Sequence, residues 1–211
     1  MAKVAFQMLD WSPDLPRPLG RRLQTIACAT AHWLHRHVPL LENGWYPRRI
    51  TLQGEPYPER AEGGADPIFA DSGDGLFILQ LFTRLTAWGL EDYRRAIAER
   101  VEAFIAAGGF FGSINHDTYD HHENVAYAVA FRTLREAAQT LGRPEWRTFA
   151  YEVCLQGLER FKMEEDRNGV ATTGLLWMEE SWDTAYLWEN AEAALAYFEA
   201  ALETGHAQYE L

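Results

Sequence analysis

Three stretches of this sequence gather side chains able to move protons or hold a ligand, and each stands at the head of an apolar run. Tyr119-Asp120-His121-His122-Glu123-Asn124 precedes seven uncharged residues, 125–131. Asp71-Ser72-Gly73-Asp74-Gly75 runs into residues 76–82, and Glu179-Glu180-Ser181-Trp182-Asp183 into the mostly apolar residues 184–197. Cleaving a glycosidic bond takes two carboxylates facing each other across a sugar, one protonated as acid and one ionised as base or nucleophile. The acids on offer are Asp71, Asp74, Asp120, Glu123, Glu179, Glu180 and Asp183. The catalytic candidates are Glu123, Asp74, Glu180 and Asp183. Glu123 and Asp74 lead, because each lies within a turn of an apolar run, where burial favours a carboxyl that keeps its proton. Any one of these acids is equally well explained as a helix cap or as a charge favoured by the helix dipole. Only the convergence of three clusters favours a site.

His116, His121 and His122, with Asp117, Asp120 and Glu123, supply enough donors for a divalent ion. Adjacent histidines, however, point to different sides of a helix, and no H-E-x-x-H spacing is present. The expectation is no metal and no cofactor, with the histidines hydrogen-bonded to a ligand hydroxyl or a neighbouring carboxylate. Trp45, Tyr46, Phe110, Phe111, Tyr119, Trp177 and Trp182 lie in or beside long connections. Aromatic faces beside carboxylates and amides suit a sugar, stacking on its C–H faces and bonding its hydroxyls. Aromatics plugging the end of a bundle explain them as well. The expected binding set is Asp71, His121, His122, Asn124, Tyr119, Trp177 and Trp182, whereas Trp188, Tyr127 and Tyr197 read as core. Gly73 and Gly75 do not form a phosphate loop, and no serine sits in a nucleophile elbow.

The elements that must position these groups are helical. After a Pro-rich, extended lead-in over 1–17, one-sided apolar spacing predicts a helix over 18–37 with Leu19, Leu23, Ile26, Ala27, Thr30, Trp33 and Leu34 facing inward. Residues 75–88 read as a helix buried nearly all round and stopped by Gly89. A one-sided helix opens at Glu91-Asp92 and stops at Gly108-Gly109. The buried helix after Asn124 ends near Gly142, and Pro144 starts a further one-sided helix to about 161. Gln53-Gly54 and Asn168-Gly169 are turn signals for short hairpins. A sixth helix, about 182–203, reads as buried on most faces, before a polar tail over 205–211.

Amphipathic and fully apolar helices thus alternate. Long connections lead into the apolar helices and very short ones lead out. That is the pattern of antiparallel hairpins in two layers, with all long loops and all three polar clusters at one end. With those clusters at the starts of the inner helices, the chain resembles the (α/α) toroid of the six-hairpin glycosidase-like superfamily over residues 17–204. The resemblance implies a carbohydrate-active protein binding a mono- or oligosaccharide at the inner-helix N-termini, with glycoside hydrolysis as its chemistry. It matches no single family's motif, so it assigns no catalytic residue. A closed toroid has about twice as many helices, so the resemblance implies an arc or half-ring whose exposed edges a partner covers, most simply a homodimer.

The bulk numbers bound the alternatives. The 211 residues suffice for one α-hairpin domain, 1–211, with a substantial core. A net charge of −12 argues against nucleic acid. No apolar run approaches a membrane span, and the N-terminal residues lack the order of a signal peptide, so a soluble cytoplasmic protein is expected. Cys28 and Cys154 read as small buried hydrophobes, with neither a disulfide framework nor zinc spacing. The competing reading is a non-catalytic structural or interaction domain, whose clusters only cap helices. A third is a sugar-binding regulatory subunit without catalysis.

Overall fold

A computed structural model of the chain describes residues 1–47, 50–51, 53–55, 73–109, 122–167, 169–180 and 184–206. Seven α-helices are present among these residues: α1 Ala2–Trp11, α2 Arg17–His37, α3 Gly75–Ala87, α4 Arg94–Ala106, α5 Asn124–Leu141, α6 Pro144–Phe149 and α7 Leu187–Thr204. Isolated antiparallel bridges replace any sheet among the described residues, so the all-α expectation holds.

Helices α3 and α5 form the centre. Both are apolar on nearly every face, and Leu76 to Phe82 of α3 and Val125 to Phe131 of α5 are buried without interruption. They pack on each other, α4 leans on both, and α7 lies along α5. One-sided α4 buries Ile97, Val101 and Phe104. Gly142 ends α5 in the left-handed region at φ 67°, a conformation that glycine adopts without steric cost. The segment after α6 widens into a π-helical turn over Ala150–Leu155 and tightens to a 3₁₀ turn over Leu158–Phe161. Between them, Gly157 lies against the Tyr127 ring so closely that a Cβ would sit 2.4 Å from it.

The glycines of both turn signals sit in turns, while Asn168 lies outside the described residues. Gly54 donates to the Thr51 carbonyl, and the Thr51 N–H reaches Glu55 O at 2.7 Å. Arg167 and Val170 pair antiparallel beside Gly169.

Three expectations are corrected. The supposed extended lead-in contains α1, whose Ala2, Ala5, Phe6 and Leu9 bury a helical stripe. Its three prolines, Pro13, Pro16 and Pro18, all come after the helix has ended. Helix α2 buries Gly20, Ala27, Ala31 and Leu34, while Leu19, Ile26 and Trp33 are exposed. The reason is α1, which packs on the small-residue seam; a Cβ on Gly20 would stand 2.3 Å from Ser12 O. Helix α7 is not buried on most faces. It buries Glu189, Ala193, Ala196 and Ala200 and exposes Leu187, Leu195, Phe198 and Leu202.

Charged clasps hold the helices in register. Arg84 on α3 pairs with Asp10 of α1 and Glu136 of α5, with its guanidinium over the Phe6 ring. Arg132 of α5 binds Glu192 at 2.8 Å and Glu199 at 2.9 Å on α7. These groups are mostly screened from water, so removing one partner strands the others.

Candidate functional site

The N-termini of α3, α5 and α7 lie at one end of the molecule. Asp74 and Gly75 at the head of α3 line the same cavity as Trp188 in the first turn of α7. Asn124, the first residue of α5, bonds Glu189, one position after Trp188. The described parts of the three polar clusters, Asp74, His122 to Asn124 and Glu179 to Glu180, form two distinct environments on either side of α7's first turn.

The first is a cavity of about 620 Å³, within the size range of small-ligand sites. Trp33, Tyr46, Phe77 and Trp188 provide aromatic walls, and Asp74 and Lys3 provide charge. Gly75 makes room for these walls: a Cβ there would lie 2.8 Å from the Tyr46 ring and 2.9 Å from that of Trp45. Lys3 sits 4.6 Å from the centre of the Trp188 ring and 3.0 Å from a Glu192 oxygen. Burial pushes the Tyr46 hydroxyl well above its ordinary range, partly offset by Arg100, so it stays protonated. Asp74 precedes α3 but makes no side-chain cap bond to it.

The second environment is a closed knot of acids. Glu123, Glu179 and Glu189 are each 0% exposed, as is Asn124. A hairpin delivers the chain here: Lys162 pairs with Leu176, and Trp177 donates to the Phe161 carbonyl at 2.8 Å. Glu179 then pairs antiparallel with Glu123, and the Asn124 N–H bonds Met178 O at 3.0 Å. Two asparagines fasten this segment. Asn190 holds both the N–H and the carbonyl of Leu176, at 2.7 and 3.0 Å. Asn124 Nδ2 donates to Trp177 O at 2.6 Å and to Glu189 Oε2 at 3.3 Å. Glu123 holds the N-cap position of α5 without a side-chain cap bond. Beside the knot, His122 Nδ1 meets the Tyr127 hydroxyl at 2.6 Å. Burial raises the Tyr127 hydroxyl and nearby Arg160 opposes this.

The candidate residues therefore separate. Asp74 lines the cavity, while Glu123 and Asn124 lie inside the knot with His122 and Trp177 at its edge. Glu180 turns outward to Arg160 at 3.4 Å. Asp71, Tyr119, His121, Trp182 and Asp183 lie outside the described residues, as do Asp120, His116 and Asp117. Asp74 is the only acid among the described lining residues of the cavity. Trp45 is wholly buried against Phe104, a plug rather than a ligand wall. Trp188, expected in the core, is instead half-exposed at the cavity.

Glu189 and Trp33 are the residues that sequence reasoning missed. Glu189 sits in a first turn, where an acid ordinarily needs no explanation; the asparagine that opens α5 was the available clue. Trp33 belonged to a stripe expected to face inward, but it lines the cavity. Among the described residues, no group of three His, Cys, Asp or Glu side chains is placed to hold a metal. Burial pushes the thiols of both Cys28 and Cys154 up, with Glu91 adding to the effect at Cys28, so neither is an activated nucleophile.

Compared with known proteins, the sequence matches no protein-family model and no curated protein. Among the described residues, no helix is long and apolar enough to cross a membrane.

Proposed function

We propose that this protein binds a mono- or short oligosaccharide in the cavity at the head of α3, within an open arc that corresponds to half of an (α/α) toroid. The observation that carries the reading is the composition of that cavity. Several aromatic faces surround the Asp74 carboxylate. Aromatic walls stack on the C–H faces of a pyranose, and Asp74 accepts bonds from its hydroxyls. The convergence of inner-helix N-termini supports the arc, as does the burial of α3 and α5 between one-sided helices.

Binding is better supported than hydrolysis. Hydrolysis needs a second carboxylate across the sugar, and Asp74 stands alone among the described lining acids. Glu123, the other leading candidate, is enclosed with Glu179 and Glu189. That enclosure favours a second reading for the knot itself, a structural fastening within a non-catalytic domain.

The test is a thermal-shift screen against neutral sugars, amino sugars and uronates. A ligand at a hundred times its dissociation constant adds about 2.7 kcal/mol to native stability. The expected result is a shift with one sugar class, abolished in Trp33→Ala and Asp74→Asn, with little change in the ligand-free midpoint because Trp33 is partly exposed. A flat response to all sugars, or a shift that survives both substitutions, would overturn the proposal.

A further inference from the structure

Helix α7 carries two apolar faces, and among the described residues only one of them is packed into the core. Its alanine seam, Ala193, Ala196 and Ala200, packs inward, while the larger side chains point to water. At about 100° per residue, Leu187, Trp188, Ala191, Ala194, Leu195, Phe198, Ala201 and Leu202 fall on one face about 140° wide. No charged residue interrupts it. Leu187 is 88% exposed, Leu202 71%, Phe198 56% and Leu195 44%.

The acids that flank this face do not guard it. Glu192 is held by Arg132 and by Lys3, Glu199 by Arg132 and Arg135, and Glu203 by Arg147 and Arg135. Charges that would repel a second acidic molecule already have partners within the chain.

The order of residues on the face selects the occupant. Read in antiparallel register about a point between Ala194 and Leu195, the face meets a copy of itself with Leu187 opposite Leu202. In that register Trp188 lies opposite Ala201, Ala191 opposite Phe198, and Ala194 opposite Leu195. Large side chains meet small ones at three of these four levels, the complementarity that close helix packing needs. A two-fold axis through this point gives an isologous contact. Taking a large side chain as roughly 200 Å², the exposed part of the face offers roughly 600 Å² per copy, so two copies clear the ~1,000 Å² expected of a specific interface.

We infer that α7 is a self-association surface, on which a second copy of this chain packs antiparallel about an axis beside Leu195. The face shares Trp188 with the cavity, but the inference does not depend on the sugar reading, since Leu195, beside the axis, does not line the cavity.

The experiment is sedimentation of the full chain at micromolar concentration. The expected mass is twice the 24.1 kDa of one copy. Leu195→Glu and, separately, Leu195→Lys should each halve it, and mixing the two variants should restore the doubled mass through opposite charges across the axis. Because Leu195 is exposed, both variants should keep the helical circular dichroism of the parent. A parent chain that sediments as a single copy, a variant that stays doubled, or a parent complex of unequal chains would each overturn the inference.

Discussion

Replacing Asn124 by aspartate changes a single atom's chemistry at the centre of the acid knot, and its cost follows from the bonds described. Asn124 is fully buried, and its Nδ2 serves both the Trp177 carbonyl and Glu189. Aspartate removes that donor. The stranded Trp177 carbonyl costs about 1–3 kcal/mol, and the lost bond to Glu189 about 0.5–1.5 kcal/mol. Asn124 Oδ1 has no hydrogen-bond partner among the described residues, so its replacement by an equivalent oxygen adds little. The two losses together come to about 1.5–4.5 kcal/mol, before any cost of the new carboxyl. Asn124→Ala loses the same two bonds without placing a new carboxyl beside Glu189, so the difference between the variants isolates the charge. That new carboxyl is buried beside another, which raises its pKa above the unfolded value. A proton held more tightly in the folded state makes the Asp variant regain stability as pH falls, until the unfolded chain binds the proton too. Urea unfolding followed by tryptophan fluorescence at pH 7 and in mild acid measures both effects, with an unchanged denaturant slope showing that the transition is the same. An Asp variant within about 0.5 kcal/mol of the parent at neutral pH, the ordinary range for a surface change, would refute the closed knot.

Two further outcomes are expected. Gly157→Ala drives a Cβ into the Tyr127 ring, and an overpacked core contact of this kind costs about 1–3 kcal/mol; an unchanged thermal midpoint would count against the close approach of the π-helical segment to α5. Burial would raise the Glu203 carboxyl, but bonds from Tyr151 and Arg147 and the nearby charge of Arg135 outweigh it and hold it below the usual range. A depressed carboxyl stabilises the fold above the ordinary carboxylate pKa, and that contribution is lost as pH falls through its folded value. The midpoint difference between the parent and Glu203→Gln should therefore be largest near neutrality and close in acid; a constant offset across pH would contradict it.

Much of the fold was legible in the sequence because the decisive helices are apolar all round. Residues 76–82 and 125–131 leave no choice of face, and Gly142 marks an end that only a left-handed residue makes cheaply. The errors in α2 and α7 share one cause. In α2 and α7 two stripes compete, one of large apolar residues and one of alanine and glycine. Hydropathy favours the large stripe, yet the small stripe faces the neighbour because it allows the backbones to approach. The close approach of Gly20 to Ser12 O shows this for α2. For the site, the three helix N-termini were predictable from loop lengths, whereas the split between cavity and knot was not. Asp74 and Glu123 have equivalent sequence settings, but a glycine and aromatic walls follow the first, and an asparagine that captures Glu189 follows the second. The pairing of residues sixty-five positions apart carries no local signal.

That separation also sets when this end of the molecule forms. Residues 176–179 are held by α5 on one side and by Asn190 of α7 on the other, with main-chain bonds to the hairpin that precedes them. The bonds that join this segment and Glu189 to Asn124 reward the chain only once the long loop between Asn124 and Glu189 has closed, and its entropy is spent first. The α3–α5 centre can assemble without it. The acid knot therefore belongs to the last cooperative unit to fold and the first to open. The amide protons of Leu176 and Met178 should exchange with solvent together, ahead of those in the middle of α5.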